Sequence, residues 1–177
     1  WSKLSGKFQT GSDMKERAHG DGIEVGYDSP EAFEEILWRA FWPGKFTDSG
    51  ICLWTSEDRN AEADEFFRKH MAKIIALRCP ADEGGGRYIS KNNANVARLD
   101  LIPAMFPDAT ILVPVRSPME HAASLLRQHL NFLEQHKTDA FTKRYMQDIG
   151  HLEFGDLHRP IQFPGLAQRL DGLHAET

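Results

Sequence analysis

The stretch from Ala109 to Gln128, ATILVPVRSPMEHAASLLRQ, constrains the fold of this chain more than any other. It opens with an apolar run rich in Ile, Leu and Val, which is typical of a strand buried on both faces of a parallel sheet. Ser117, Pro118 and Glu120 follow, and this order predicts a helix with a serine N-cap, a proline at its first position and a capping box. A buried strand leading directly into a helix indicates an α/β fold.

Arg116 lies between the predicted strand and helix, at the carboxyl edge of the sheet, where open α/β sheets form ligand crevices. Its guanidinium and the free N–H groups of the helix N-terminus would together attract an anion. Ser124 follows Ser117 by nearly two helical turns, so the two share a helix face about 10 Å apart. A ligand along this face could contact both Arg116 and Ser124. The alternative is a surface salt bridge at Arg116 and an ordinary helix serine at Ser124.

The run VPVRSPMEHAAS resembles the 3′-phosphate-binding segment of sulfotransferases that use 3′-phosphoadenosine 5′-phosphosulfate as sulfuryl donor. In that family an apolar strand ends in Arg, a Pro stands two residues later and a Ser eight residues later. Arg116, Pro118 and Ser124 match this pattern. The resemblance extends over roughly residues 87 to 136. It implies a sulfotransferase fold of the P-loop-NTPase type, with the donor's 3′-phosphate bound by Arg116 and Ser124.

The chemistry that this resemblance implies is transfer of a sulfuryl group to an acceptor hydroxyl or amine, with positive charge placed near the leaving phosphate. Lys91 ends the predicted strand 87–90, where families of this type place a lysine. Two residues later such families often have a histidine that acts as base, but this chain has Asn93. Candidate bases are therefore His19, in a His-Gly-Asp-Gly loop, and Glu34. Lys91 could instead be a solvated strand end, and His19 part of a solvated turn.

Sulfotransferases also need a P-loop-like strand, loop and helix that grip the 5′-phosphosulfate, and nothing in residues 1–27 matches it. Either that loop precedes Trp1 or this chain cannot catalyse. We expect the first, with residues 1–177 forming a single sulfotransferase-like domain that is truncated at both ends and could be inactive as a fragment. The glycines at 84–86 are not followed by Lys and Ser or Thr, so they indicate a linker rather than a P-loop. The family's C-terminal nucleotide-contacting segment is not evident after Leu166.

Composition narrows the possible partners. The net charge of −5 and the lack of a basic tract with interleaved aromatics disfavour nucleic acid. No apolar run approaches the ~20 residues of a membrane span. Cys52 and Cys79 lack metal-ligand spacing and predict reduced core thiols. We expect a cytoplasmic enzyme without a bound metal that acts on a small-molecule or glycan acceptor, while the oligomeric state is not indicated.

The predicted architecture is a central, mostly parallel sheet of three to five strands flanked by helices. In one of these helices an apolar stripe at helical spacing predicts a core face, formed by Phe33, Ile36, Leu37, Ala40 and Phe41.

Two other functions fit such a sheet. A P-loop nucleotide kinase would need a Walker A loop ahead of Trp1 and a magnesium-binding acidic residue at a strand end. A non-catalytic nucleotide- or partner-binding module would keep the Arg116 and Ser124 site without transferring anything.

Overall fold

The structure is a computed structural model that describes residues 14–16, 22–25, 34–79 and 85–174. The short strands are β1 (Lys15–Glu16), β2 (Glu24–Val25), β3 (Phe46–Thr47) and β4 (Gly50–Ile51). The α-helices are α1 (Glu34–Phe41), α2 (Ala61–Arg78), α3 (Leu101–Met105), α4 (Pro118–Thr138), α5 (Ala140–Ile149) and α6 (Leu166–His174). Short 3₁₀ helices occupy Pro43–Lys45, Ser56–Asp58, Asn93–Arg98 and Gly155–Leu157.

Strand pairing in the described ranges is limited. β1 pairs with β2 and β3 with β4, both antiparallel, and one isolated parallel bridge joins Ile51 to Ile161. The predicted strand 109–115 has no strand partner among the described residues, and its side chains are exposed, Leu112 by 85% and Val115 by 87%. The segment 87–90 likewise forms no strand with any other described residue. The described residues thus show a mixed α/β composition but not the central parallel sheet that the sequence predicts, because no strand flanks either run.

The chain divides into two compact units. The first contains residues 1–33 and 115–158, and the second contains residues 34–114 and 159–177. The single domain expected from the sequence stays a prediction.

An aromatic cluster forms the core of the second unit. Trp38 of α1 stacks on Trp42 with ring centroids 5.1 Å apart and meets Trp54 edge-on at 6.3 Å. Phe67 of α2 packs against Trp38 at 4.7 Å. α2 starts where the side chain of Asn60 accepts the N–H groups of Glu62 and Ala63, a standard N-cap.

The buried face of α1 differs from the predicted one. Its buried residues are Glu34, Glu35 and Trp38, whereas Ile36 is 39% exposed and Ala40 is exposed. Phe33, also assigned to the core face, lies outside the described residues. The apolar periodicity therefore identified the helix but gave the wrong buried face, and the reason lies in the hydrogen bonds of the two glutamates.

In the first unit, α4 packs against α5 and against the 3₁₀ helix Gly155–Leu157. Phe132 of α4 is fully buried and stacks on Phe154 at 5.8 Å. Two imidazoles of α4 hold the 3₁₀ helix: Nδ1 of His129 accepts the N–H of Gly155 at 3.3 Å, and Nδ1 of His136 accepts that of Asp156 at 3.2 Å. These two histidines thus have structural roles.

None of the described helices is long and apolar enough to cross a membrane.

Candidate functional site

Arg116 stands two residues before the start of α4, in the first unit. The helix begins at Pro118, with Ser117 in the N-cap position, as the sequence predicts. The Ser117 hydroxyl, however, makes no capping hydrogen bond, so the predicted capping box with Glu120 is wrong. Pro118 has no N–H, and the first intrahelical bond from this region runs from His121 N to Ser117 O at 2.9 Å. The N–H groups of Met119 and Glu120 are therefore the ones that α4 can offer to an external anion.

The surface around Arg116 is open to solvent. Residues 109–123 are all exposed, and Ser124 on the second turn of α4 is partly exposed. Glu120 lies in the first turn of the helix, and its negative charge repels an approaching anion. Arg116 and Ser124 are thus accessible to a ligand, as the site predicted from the sequence requires. Both lie close to the start of α4.

Lys91 belongs to the second unit and lies in a segment that two adjacent glutamates of α1 hold. The hydroxyls of Tyr88 and Ser90 both donate to the carboxylate of Glu34, the latter at 2.6 Å. The amide of Asn92 donates to Oε2 of Glu35 at 2.7 Å. We call these three hydrogen bonds the glutamate clamp.

The clamp binds every second residue of its segment. Tyr88, Ser90 and Asn92 contact the glutamates, while the intervening Ile89 is 88% exposed and Lys91 is exposed. This alternation is the one that an extended chain imposes, since successive side chains point to opposite sides. Lys91 is therefore directed away from the side that the clamp holds.

Glu35 has a second task inside the core. Its Oε1 accepts from Nη2 of Arg98 at 2.6 Å, and Arg98 is fully buried. The guanidinium lies 4.5 Å from the ring centre of Trp38 and 4.6 Å from that of Trp54. Burial lowers the pKa of Arg98, and the Glu35 carboxylate opposes that shift. Nη1 of Arg98 also donates to Oδ1 of Asn95 at 3.1 Å, so the charge is held by one carboxylate, one amide oxygen and two aromatic faces.

Glu34 is poorly suited to the role of general base that the sequence left open. It is buried, and each of its oxygens already accepts a hydroxyl group. Burial, and then the Glu34 carboxylate, raise the pKa of Tyr88 far above its usual range, so the phenol stays protonated and keeps donating. His19, the other candidate, lies outside the described residues.

Metal and thiol chemistry receive no support from the part of the chain that is described. There, no group of three His, Cys, Asp or Glu side chains is arranged to hold a metal ion. Cys52 and Cys79 are free thiols, as predicted, but both are partly exposed rather than core residues.

Sequence reasoning did not find the glutamate clamp. A signal was present, because Tyr88, Ser90 and Asn92 are polar residues at a spacing of two. In an extended segment that spacing places three hydrogen-bonding groups on one side. The partner helix could not be identified, because the contacts span 54 to 57 residues of sequence.

Most of these residues lie in a part of the chain that matches a known protein family. A model of the sulfotransferase family matches residues 27–160, a span that includes Lys91, Arg116 and Ser124. No curated protein and no solved structure matches the chain. The family predicted from the run around Arg116 is thereby confirmed. Since the match extends over well more than half of its residues, the chain belongs to the sulfotransferase family.

Proposed function

We propose that this protein transfers a sulfuryl group from 3′-phosphoadenosine 5′-phosphosulfate to a hydroxyl or amine of a small-molecule or glycan acceptor. The observation that carries the proposal is the family match over residues 27–160, within which Arg116, Pro118 and Ser124 have the spacing of a 3′-phosphate-binding segment. The free thiols of Cys52 and Cys79 are in keeping with a cytoplasmic location, which is part of the proposal.

Recognition of the donor depends on its 3′-phosphate. The exposed Arg116 offers a planar fork of N–H groups, and α4 offers the N–H groups of its first turn and the positive end of its dipole. Ser124 adds a hydroxyl on the second turn. The partial charges and donors of this helix start suit a dianionic phosphate, which supports the assignment of Arg116 and Ser124 as donor-binding residues.

The transfer step requires little covalent chemistry from the protein. An acceptor oxygen or nitrogen forms a bond to sulfur while the bond from sulfur to the 5′-phosphate oxygen breaks, leaving adenosine 3′,5′-bisphosphate. The acceptor proton passes to a base, and negative charge develops on the leaving phosphate oxygen. Lys91 is proposed to stabilise that charge, because its compact ammonium is exposed and its segment is held in place.

Removal of the acceptor proton needs a base. Glu34 is engaged by two hydroxyl groups, which leaves His19 as the candidate from this chain. His19 would act through a neutral imidazole, and we retain it as a prediction.

The test is transfer from donor carrying radioactive sulfur to a panel of hydroxyl and amine acceptors. The proposal expects labelled acceptor together with an equal amount of adenosine 3′,5′-bisphosphate. Transfer of phosphate from ATP instead would favour a nucleotide kinase. Binding of the bisphosphate without transfer to any acceptor would favour a binding module.

A further inference from the structure

Glu34 and Glu35 bind the two residues that flank Lys91, Ser90 and Asn92. We infer that the two glutamates are positioning residues, which hold segment 88–92 in one conformation so that Lys91 is presented outward at a fixed place. The inference rests on the proposed function of Lys91. It adds to that function two residues that would touch neither donor nor acceptor and would act through the side chains of the residues on either side of the lysine.

The contacts flank Lys91 on both sides. Ser90 is bound to Glu34 at 2.6 Å, and Asn92 is bound to Glu35 at 2.7 Å. Asn92 also accepts the N–H of Ala94 at 2.8 Å, which starts the 3₁₀ helix Asn93–Arg98. Lys91 thus lies between two anchored neighbours, although its own side chain is exposed.

Stability alone does not explain the clamp, because burying two carboxylates costs free energy. Glu34 and Glu35 are each only 6% exposed, although they are adjacent carboxylates. Burying such charges is unfavourable unless each one is fully paired, and apolar residues of similar size often stabilise a core as well. Paired charges do define one geometry, because their hydrogen bonds are directional. A fixed geometry matters for a group that must meet charge developing in a transition state.

Both glutamates have hydrogen-bonding partners for their carboxylate oxygens. Glu35 is paired with the buried Arg98, and Glu34 accepts two hydroxyl groups. Glutamine at position 34 could accept one of these groups, but its amide nitrogen cannot accept the other. Glu34→Gln therefore loosens the clamp at Ser90 or Tyr88 without removing the counter-charge of Arg98, so this variant should fold.

The first measurement is tryptic cleavage of the native protein after Lys91, followed by mass spectrometry. Cleavage requires the segment to open locally, and its rate reports the population of the open form. We expect Glu34→Gln and Ser90→Ala to raise this rate about tenfold, the effect of losing one hydrogen bond. Cleavage after Lys73 in α2 should not change. Glu65→Gln, which alters an exposed glutamate paired with Lys69, is the matched control.

The second measurement is a double-mutant cycle on single-turnover transfer, with Glu34→Gln, Lys91→Ala and the combined variant. A positioning role predicts that Glu34→Gln slows transfer about tenfold while affinity for adenosine 3′,5′-bisphosphate changes less than about twofold. In the combined variant Glu34→Gln should add no further loss, because the group that it positions is gone. A merely structural role would add its full loss in both backgrounds.

The outcomes separate the inference from the proposed function. Cleavage after Lys91 that matches the Glu65→Gln control would overturn the clamp. Faster cleavage with unchanged transfer, or losses that add in the cycle, would overturn the positioning role while leaving the clamp as a structural feature. If Lys91→Ala alone leaves transfer unchanged, the proposed role of Lys91 fails and the positioning role fails with it, while the transfer activity stands. If the unsubstituted full-length protein transfers nothing to any acceptor, the proposed function fails, and the positioning role fails with it.

Discussion

The Glu35 carboxylate and the Arg98 guanidinium form a buried ion pair, with 2.6 Å between Oε1 and Nη2. Their side chains are 8% and 0% exposed, and Trp38 and Trp54 cover the guanidinium. The pair explains how the buried face of α1 can carry glutamates. It also makes the core sensitive to the loss of either charge.

Removing one partner should therefore be costly. We expect Glu35→Ala to lower the free energy of unfolding by about 3–5 kcal/mol, because it leaves the Arg98 charge buried and unpaired. Replacing both residues, as Glu35→Leu with Arg98→Met, should destabilise the protein less than the single change. Urea unfolding followed by tryptophan fluorescence measures both, with Glu65→Ala as the exposed control, for which no change is expected. An unchanged free energy of unfolding in Glu35→Ala would show that the ion pair contributes little to stability.

Gly155 offers a second test of packing. Its φ is +67°, and a Cβ placed there would lie 2.6 Å from Nδ1 and Cε1 of His136. Gly155→Ala should lower the free energy of unfolding by about 2–4 kcal/mol, since left-handed strain and crowding add. Gly165→Ala is the matched control, because φ is +75° there but the nearest atom is 3.9 Å away. Strain alone predicts a loss of about 1 kcal/mol at Gly165. Equal losses at both positions would contradict the close contact with His136.

Acid should loosen the contact between α4 and the 3₁₀ helix Gly155–Leu157. Burial lowers the pKa of His136 below its ordinary value of 6.5, and Lys143 acts in the same direction, while Asp156 opposes both. The unfolded chain therefore binds a proton more readily than the folded one. The stability from neutral His136 should be fully present above about pH 6.5 and be lost as the pH falls through the lower folded pKa.

The groups facing His136 come from three elements. They are Lys143 on α5 and Asp156 on the 3₁₀ helix, which pair with each other at 2.7 Å, and Lys137 on α4, which acts on Asp156. Urea unfolding between pH 5 and 7.5 should show that the free energy of unfolding decreases as the pH falls. This decrease should be smaller in His136→Gln. His121→Gln, at an exposed position on the same helix, should keep the full pH dependence. A profile that is unchanged in His136→Gln would exclude His136 as its source.

Substitutions at Lys91 distinguish a catalytic role of this lysine from a role in binding the donor. If its ammonium stabilises charge on the leaving phosphate, Lys91→Ala in the full-length protein should lower kcat on the order of a hundredfold, comparable to the loss of one preorganised donor. Affinity for adenosine 3′,5′-bisphosphate should fall less than tenfold. Lys91→Arg should restore only part of the rate, because a planar fork does not replace a compact charge. Lys69→Ala is the control for loss of an exposed lysine. Equal losses in rate and affinity would make Lys91 a binding residue.

The sequence predicted local features better than long-range ones. The start of α4 at Pro118 follows from neighbouring residues, and the family follows from the spacing of Arg116, Pro118 and Ser124, so both could be found. The buried face of α1 could not, because periodicity treats Glu34 and Glu35 as solvent-facing. Their burial depends on partners more than 50 residues away. Pairing of the apolar run 111–115 depends on other strands, which its own residues do not specify.

The most direct test of the account is calorimetric titration of adenosine 3′,5′-bisphosphate into the protein and into Arg116→Ala. A charge-assisted contact to the 3′-phosphate predicts that Arg116→Ala weakens binding by about one to two decades, or roughly 1.5–3 kcal/mol. Adenosine 5′-phosphate, which lacks the group that Arg116 is proposed to bind, should bind weakly to both proteins. Arg127→Ala, at an exposed position on α4, is the control for loss of charge. Equal affinity of the bisphosphate for the protein and for Arg116→Ala would contradict the assignment of the donor site.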